Sequence, residues 1–505
     1  MQGKKDYQEK LFIRFQLSDY VPQDNLYRQL KHLLDFNFLY ASTSSYYGKE
    51  GQKSIDPVVF MKLMLVGYLE NLSSDRRIVA TSRMRMDILY FIGYDLDEEL
   101  PWHSTLSRTR QLYGEEHFSA IFKLVLKQCI DKGLVSGKRQ AIDSAFVKAN
   151  ASMSSLVERE ILNDASQYGK ELDANAEERP ADDIISLKQN TASKDVSKAK
   201  ASKSINSTHR STTDPDARMS VKPGKATRMN YLSQVSVDTI SHVITSIKAF
   251  HADKGDGQCF DEMLKDIIQN LGDNGMKVQE ILADTGYSKA SVLQTLIDHG
   301  IKGYIPNASG YIENRAGFLY DKANDWYTCA QGKHLTFRHF QTKRDNTYKV
   351  YKTGIKDCRG CPYKDTCANP AGIKSLADSI NKELYDQMYQ RMSTKEARKM
   401  SRLRSSTVEP VLGTLINFAG MRQVNTKGIK LANKCMIMAA VAYNLKKLIK
   451  ANVTKAKNRV EKAANITCNN LNKSLVAYRD LLESLIEYVK IRYKTKWLNN
   501  HLLYK

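Results

Sequence analysis

The sequence lacks long hydrophobic runs. Its longest apolar stretch, Met436 to Tyr443, is far shorter than the roughly 20 residues that a membrane-spanning helix needs. Residues 1–20 carry several charges with no apolar run behind them, which is not the pattern of a signal peptide. We therefore expect a cytoplasmic protein that does not enter a membrane.

Cysteine and histidine are too sparse to organise the chain. Eight cysteines in 505 residues do not make a disulfide scaffold. No two of the ten histidines stand at a spacing typical of metal ligands. The chain is long enough for roughly three domains, and its hydrophobic fraction of 42% allows sizeable cores. A multidomain protein held by ordinary hydrophobic cores is therefore expected.

Acidic residues are outnumbered by basic ones. The chain has 77 Lys and Arg against 55 Asp and Glu, which gives a formal net charge of +22. Nucleic acid is the first candidate partner for such a charge, because neutralised phosphates release counterions and supply affinity for any sequence. A membrane surface is the alternative, but the N-terminus shows neither a lipidation motif nor a basic amphipathic helix.

Residues 1–138 are predicted to form a helical DNA-binding domain. Apolar residues recur at helical spacing within residues 55–135. Between the apolar runs, the segment from Trp102 to Arg110 has a Ser/Thr helix start at Ser104 and Thr105 and then carries Arg108 and Arg110, which suits a helix-turn-helix reader of DNA. The alternative interpretation is a helical bundle with a solvated basic face.

Residues 139–309 alternate short strands and helices, which predicts a mixed α/β sheet. Within them, residues 186–230 are rich in Ser, Thr, Lys and Ala and hold too few large apolar residues for a core, so we expect a flexible basic insert there. The expected elements are a strand over 139–142, two strands joined by a turn near 239–242, a helix over 260–271, and strands over 278–283 and 301–306.

Two acidic residues stand at the ends of predicted core strands, Asp143 after Ile142 and Asp284 after Ala283. Ligand sites in open α/β sheets gather at that edge, and carboxylates brought together there repel each other unless cations lie between them. Mg²⁺ takes oxygen ligands, and two such ions about 4 Å apart activate an attacking water and stabilise a leaving oxygen at phosphorus. The alternative interpretation of each aspartate on its own is a residue that forms the turn at the end of its strand.

The triplet Asp284-Thr285-Gly286 also matches that of aspartic proteases. That interpretation needs a second such triplet or a small all-β homodimer. The flanks of this triplet are helical in pattern and a second triplet is missing, so we set the protease interpretation aside.

A third acidic residue, Glu409, precedes Pro410. Ser406 and Glu409 have the spacing of a capping box, and proline is tolerated in a first helical turn, so the pattern predicts a helix start here. A helix start also presents a carboxylate well to a metal. Arg402 and Arg404 nearby are candidates for holding phosphates.

Three blocks of the sequence resemble the catalytic blocks of DDE-class transposases of bacterial insertion sequences. Two further segments are similar to the tail and the N-terminal domain of that family. The catalytic blocks are Ile142-Asp143, Leu282 to Tyr287, and Arg404 to Gly413; the tail blocks are Gly420 to Gly428 and Ala442 to Lys447; the N-terminal segment is Trp102 to Arg110. The resemblance covers roughly residues 55–450.

The resemblance implies a ribonuclease-H-like catalytic fold in which Asp143, Asp284 and Glu409 bind two Mg²⁺ or Mn²⁺ ions. It implies cleavage at the terminal inverted repeats of the element and transfer of the 3′-OH ends into target DNA. We expect a homodimer in the DNA complex, working at the nucleoid in the bacterial cytoplasm. Two alternatives remain open: a DNA-binding protein without chemistry, such as a repressor, and a plain metal-dependent DNA nuclease.

One position departs from the family pattern. Many relatives carry a basic residue seven positions after the glutamate, where this chain has Ile416. A basic contact to DNA therefore has to come from elsewhere, and Arg422 and Lys427 are the candidates.

The stretch between Asp284 and Glu409 is longer than the fold needs, so we predict an inserted subdomain over residues 310–371. It contains three closely spaced cysteines with a fourth upstream. Four thiolates fit one structural Zn²⁺, a [4Fe–4S] cluster uses the same number of ligands, and four reduced, unpaired cysteines are the remaining alternative. Residues 372–450 are expected to complete the catalytic core, and residues 451–505 to form a basic helical tail. The four cysteines are Cys329, Cys358, Cys361 and Cys367.

Overall fold

The structure, a computed structural model, divides the chain into two compact units, Met1–Leu445 and Lys446–Lys505. In the second unit, residues 446–452 and 481–487 are helical, and most of the predicted basic tail lies outside the described residues. Within the described part of the chain, no helix is both long enough and apolar enough to cross a membrane. The described residues are 15–48, 50, 54–159, 202–221, 226–308, 311–313, 315–343, 346–452, 479, 481–487 and 490.

The described residues before 139 fold as α-helices joined by short connections, as the apolar spacing predicts. Asp56 starts the most buried of these helices by accepting hydrogen bonds from the N–H groups of Val58 and Val59 at 2.7 and 3.1 Å, with Pro57 in the first turn. The helices are α1 (Leu17–Tyr20), α2 (Leu26–Leu33), α3 (Phe38–Thr43), α4 (Pro57–Leu69), α5 (Asp75–Arg83), α6 (Met86–Ile92), α7 (His103–Leu112) and α8 (Glu115–Asp131).

A six-stranded mixed sheet follows, with β1 at its centre. β5 pairs antiparallel with β1, and β4 and β6 pair antiparallel with β5. On the other side of β1, β7 is parallel to β1 and β8 is parallel to β7. The mixed α/β prediction and the expected turn between β5 and β6 are therefore confirmed. The strands are β1 (Arg139–Lys148), β4 (Arg218–Ser220), β5 (Arg228–Asp238), β6 (Ile244–His251), β7 (Glu280–Leu282) and β8 (Lys302–Tyr304).

The prediction of a flexible insert over residues 186–230 is wrong for its second half. Residues 186–201 lie outside the described residues, but Ser202–Thr208 forms helix α9, and the chain then enters β3 (His209–Ser211), β4 and β5. β3 pairs with a short strand β2 (Leu156–Glu158). Polar side chains help to order this segment, since the Asn206 amide exchanges hydrogen bonds with the backbone of Met219 at 2.8 and 2.9 Å.

Asp214 and Asp216 extend that polar order to the last helix of the first unit. The buried Asp214 accepts hydrogen bonds from the Tyr231 hydroxyl at 2.7 Å and from the Gly428 N–H at 3.0 Å. Asp216 accepts one from the Ile429 N–H at 3.1 Å. These carboxylates satisfy the first N–H groups of a helix that begins at residue 429, which we call α15.

Helix α15, residues 429–445 of the first unit, ties the N-terminal helices to the sheet. The Asn444 amide donates to the carbonyl of Ile244 on β6 and accepts from its N–H, both at 2.9 Å. The buried Lys434 ammonium donates to the carbonyls of Arg110 and Tyr113 near the end of α7. The helix thus packs the two parts of the unit together.

The region between β8 and residue 380 contains a second sheet. Its strands follow the order β13-β12-β11-β10-β9, all antiparallel. A core of Tyr327, Leu335, Tyr351 and Leu376 holds it together. The inserted subdomain expected here thus has an aromatic core of its own. The strands are β9 (Phe318–Asp321), β10 (Trp326–Cys329), β11 (His334–Lys343), β12 (Asn346–Lys352) and β13 (Ser375–Ser379).

The remaining helices pack on the sheets. α10 (Phe260–Gly272) lies against β5 and β6, as its predicted amphipathic pattern requires, and α14 (Lys395–Phe418) packs on β1, β5, β7 and β8. The others are α11 (Ala290–Asp298), α12 (Lys364–Cys367) and α13 (Lys382–Met392).

Candidate active site

Asp143 lies inside β1 rather than at its end. The prediction that the strand ends at this residue is wrong, because β5 pairs with β1 over residues 140–148 and keeps it extended. The parallel partner β7, in contrast, pairs with β1 only as far as Ala141. Asp143 therefore lies where the parallel pairing stops and the antiparallel pairing continues.

Asp284 lies two residues beyond the end of the neighbouring strand β7. Ala141 pairs with Leu282, so the two aspartates each follow a paired residue by two positions. The backbone of Asp284 is still extended, with φ −84° and ψ −178°. Neighbouring strands are about 4.8 Å apart, so this register brings the two aspartates side by side.

Glu409 reaches the same region from α14. The predicted helix start at Ser406 is wrong, because the helix begins after Thr394, whose hydroxyl accepts a hydrogen bond from the Ala397 N–H at 3.1 Å. Pro410 therefore lies inside a 24-residue helix. Glu409 is a residue of the middle of this helix, with its side chain 57% exposed.

Arg404 joins two of the three predicted carboxylates. Its Nη1 donates to Oδ2 of Asp143 at 2.8 Å, and its Nη2 donates to Oε1 of Glu409 at 3.1 Å. Sequence reasoning assigned Arg404 to phosphate binding, whereas here it is an internal ion-pair partner with only 16% of its side chain exposed. Arg404 lies five residues before Glu409, which brings the two side chains near each other on one stretch of α14.

Burial and charge act on the carboxyl group of Asp143. Burial raises the pKa of Asp143 above its ordinary value, and the nearby negative charge of Asp284 raises it further. Hydrogen bonding from the Ser144 N–H and the charge of Arg404 oppose this shift. Asp284 and Arg404 thus act in opposite directions on the pKa of Asp143.

Two residues that sequence reasoning missed lie beside these carboxylates. Asp256 accepts a hydrogen bond at Oδ1 from the Ser144 hydroxyl at 2.6 Å. Tyr287 is fully buried, and its hydroxyl has no hydrogen-bond partner within the described residues. The negative charges of Asp256, Asp143 and Asp284 add to burial in raising the pKa of Tyr287. The local sequence around Asp256 does not identify it as a site residue. It follows β6, whose end depends on the pairing of β6 with β5.

The basic residues predicted to contact DNA differ in how far they are exposed to solvent. Arg110 is wrong as a DNA contact: only 5% of it is exposed, and its guanidinium donates to both carboxylate oxygens of Asp75 on α5, at 3.1 and 2.5 Å. The sequence predicts the helix but does not show whether Arg108 or Arg110 faces the interior of the domain. The exposed members of the predicted set are Arg108, Arg402, Arg422 and Lys427.

The four cysteines of the inserted subdomain do not form one cluster. Cys329 packs against the aromatic core of the second sheet, and the Cys358 thiol is 3.2 Å from the Thr353 hydroxyl. Across the described residues, no three or more His, Cys, Asp or Glu side chains are gathered so as to hold a metal ion. As placed, these thiols do not fit the predicted zinc or iron–sulfur site.

The acidic site differs from the cysteines in its donor chemistry. Asp143 and Asp284 offer carboxylate oxygens, which are the ligands of Mg²⁺ and Mn²⁺, and an unsatisfied buried hydroxyl lies among them. Glu409 is separated from Asp143 by the cationic Arg404, which already compensates their charge. Carboxylate oxygens suit a hard divalent cation, but across the described residues three of these acidic side chains are not gathered around one point, and Arg404 lies between Asp143 and Glu409.

Comparison with known proteins gives matches at both ends of the first unit. Residues 15–112 match the family described as transposase domain (DUF772). Residues 328–449 match the family described as transposase DDE domain. The second match includes Arg404 and Glu409, whereas Asp143 and Asp284 lie outside both matches. No curated protein matches the chain.

Two solved structures are similar at a low level. The cryo-EM structure of the piggyBac transposase synaptic complex with hairpin DNA is 12% identical, with 86% of this chain and 75% of that chain covered and a TM-score of 0.33. The Mos1 transposase paired-end complex with left transposon end is 9% identical, with 55% and 67% covered and a TM-score of 0.16. Likenesses of this size do not establish a common fold.

The two family matches define a class. The chain carries a match to a transposase domain and a match to a transposase DDE domain on one polypeptide. The two matches support a DDE-class transposase of the insertion-sequence type.

Proposed function

We propose that this transposase cleaves DNA at the terminal inverted repeats of its own insertion sequence and joins the 3′-OH ends to target DNA. In this proposal Asp143, Asp284 and Glu409 hold two Mg²⁺ or Mn²⁺ ions. The observation that supports it is that Asp143 and Asp284 each follow a paired residue of the β1–β7 register by two positions, while Arg404 donates hydrogen bonds to both Asp143 and Glu409.

The topology of the first sheet supports a ribonuclease-H-like core. Three antiparallel strands, β6, β5 and β1, are followed by two parallel ones, β7 and β8, with β1 in the centre. In this arrangement Asp143 lies on β1, Asp284 follows the adjacent strand β7, and Glu409 lies on α14. The strand order supports the fold that the sequence resemblance implies.

Each side chain has a distinct part in the proposed reaction. Divalent ions at this site would activate the attacking water or 3′-OH and stabilise the leaving oxygen at phosphorus. Asp143 and Asp284 would hold them from neighbouring strands, and Glu409 would close the site from the helix. Arg404 would release the carboxylates when the ions bind, and its guanidinium would then be available to a DNA phosphate.

The exposed arginines and lysines supply the proposed contact with DNA. Arg402 and Glu409 lie on the same helix, and the carbonyl of Arg422 accepts a hydrogen bond from the N–H of Lys148, at the end of the strand that carries Asp143. Lys427 follows in the same segment and is also exposed. With a net charge of +22, these residues favour a polyanion near the acidic site. We further propose that two copies of the chain act together on paired ends.

A strand-transfer assay tests this function. A linear donor carrying the element's terminal repeat with a free 3′-OH is incubated with a target plasmid, Mg²⁺ and the full chain. We expect joined products from the wild type and none from Asp143→Asn, Asp284→Asn or Glu409→Gln, with DNA binding retained in all three. Glu396→Gln is the matched control on α14, because Glu396 contacts Tyr304 and Lys302 instead of the site.

The alternatives give different outcomes in the same assay. A plain nuclease cuts the donor and the plasmid without joining them, and a repressor-like protein binds the repeat without cutting it. Joining by Glu409→Gln at the wild-type level would remove Glu409 from the proposed site.

A further inference from the structure

We propose that Asp256 is a fourth carboxylate of the divalent-metal site, binding the same ion as Asp284. This inference rests on the proposed function, since it concerns the same site. Asp256 lies between β6 and α10, in a segment that contributes none of the three residues assigned above.

The loop that carries Asp256 is fixed to the centre of the sheet. Its Oδ1 accepts a hydrogen bond from the hydroxyl of Ser144, the residue after Asp143, at 2.6 Å. Its backbone carbonyl accepts one from the amide of Gln234 on β5 at 2.9 Å. With Oδ1 bound to Ser144, Oδ2 is the oxygen that faces Gly286.

Gly286 shows how close Asp256 and Asp284 are. A Cβ atom built on Gly286 would be 2.6 Å from Oδ2 of Asp256 and 3.0 Å from Oδ1 of Asp284. Oδ1 of Asp284 is held there by the Gly286 N–H, which donates to it at 2.9 Å, whereas Oδ2 of Asp256 reaches the same point from a separate segment of the chain. Only glycine leaves that point open, and two carboxylates brought so close favour a cation between them.

Tyr287 gives an independent indication of a ligand. Its side chain is fully buried, and its hydroxyl has no hydrogen-bond partner among the described residues. Burial raises the pKa of Tyr287, and the negative charges of Asp256, Asp143 and Asp284 raise it further. A buried hydroxyl without a partner costs free energy unless something binds it. A water on an ion held by these carboxylates would supply that partner.

The rival interpretation gives Asp256 only the structural task of accepting the Ser144 hydrogen bond. Asp256→Asn separates the two, because the amide oxygen still accepts from Ser144 while the negative charge is lost. The matched control is Asp261→Asn: Asp261 likewise accepts a hydroxyl hydrogen bond, from Thr295 at 3.0 Å, on the neighbouring helix α10.

The test measures Mn²⁺ binding to the full chain without DNA, by electron paramagnetic resonance of free Mn²⁺. Mn²⁺ takes the same oxygen ligands as Mg²⁺. We expect Asp256→Asn to weaken binding tenfold or more, a loss typical of residues that support a metal site, and Asp261→Asn to leave it unchanged. Asp143→Asn and Asp284→Asn serve as references and should also bind weakly.

The outcomes separate this inference from the proposed function. Asp256→Asn binding within twofold of the wild type, while the two reference variants bind weakly, would overturn the inference alone. Wild-type levels of binding in the reference variants, or no binding by the wild type, would overturn both. Should Asp256→Asn fail to fold, Gly286→Ala provides the test, because its methyl group enters the point where the two oxygens converge, and unchanged binding there would equally overturn the inference.

Discussion

The guanidinium of Arg404 donates a hydrogen bond from Nη1 to Oδ2 of Asp143 at 2.8 Å. The same group donates from Nη2 to Glu409. One cation thus binds two of the three carboxylates that we assign to divalent metal. Arg404 and a metal ion therefore compete for the same oxygens, and the positive charge of either one relieves the repulsion between them.

The first prediction follows from this competition. Arg404→Ala should bind Mn²⁺ more tightly than the wild type, by roughly tenfold, because a charge-assisted hydrogen bond of about 1.5 kcal/mol no longer opposes the ion. Titration calorimetry measures the change. Arg402→Ala is the control on the same helix, since Arg402 is exposed. Weaker binding by Arg404→Ala would mean that the arginine supports the metal instead of competing with it.

The second prediction concerns Arg110, which holds α7 against α5. Arg110→Ala should lower the free energy of unfolding by about 3–5 kcal/mol, because it leaves the carboxylate of Asp75 partly buried and unpaired. Urea unfolding followed by circular dichroism gives the value. Arg108→Ala on the same helix should change stability by less than about 0.5 kcal/mol. Equal stability of the two variants would show that the buried ion pair is not what holds these helices.

The third prediction assigns Arg108 to DNA. It is exposed on α7, where its guanidinium donates to the Ser104 hydroxyl at 3.1 Å. Arg108→Ala should weaken binding to a terminal-repeat duplex and reduce the slope of log affinity against log salt by about one, as the loss of one phosphate contact requires. Fluorescence anisotropy at several salt concentrations tests this, and an unchanged slope would remove Arg108 from the interface.

The fourth prediction concerns the edge of the first sheet. Asn444→Leu should cost about 2–3 kcal/mol in unfolding free energy, because the N–H and the carbonyl of Ile244 both lose their partner inside the protein. Asn433→Ala, which removes one bond to the N–H of Ala249, should cost less. Thermal unfolding of both variants makes the comparison. A larger loss for Asn433→Ala would contradict this assignment.

The local sequence pattern was sufficient to predict the strands and helices whose own residues show the alternation, helical spacing or apolar run typical of them. Alternation and a turn predicted β5 and β6, helical spacing predicted the helix at Phe260, and short apolar runs predicted β7 and β8, all of which the structure confirms. The acidic pair at positions 143 and 284 stood out for the same reason, since each follows an apolar run.

Elements that depend on distant partners were predicted wrongly. β1 continues past Asp143 because β5, some ninety residues later, pairs with it. The helix around Glu409 passes through Pro410 because packing on the sheet outweighs the lost hydrogen bond. Residues 202–221 are ordered by side-chain hydrogen bonds that composition does not reveal. Asp256 was missed for a similar reason, since only the folded chain brings it to Gly286.

The most direct test of the proposed active site is a change of metal preference at Asp284. Thiolate is a softer ligand than carboxylate and binds Mg²⁺ poorly, whereas Mn²⁺ tolerates it better. We predict that Asp284→Cys loses cleavage of a terminal-repeat duplex in Mg²⁺ and recovers part of it in Mn²⁺, while Asp298→Cys, on the exposed end of α11, cleaves equally well in both. Wild-type cleavage by Asp284→Cys in Mg²⁺ would contradict the assignment of Asp284 as a metal ligand.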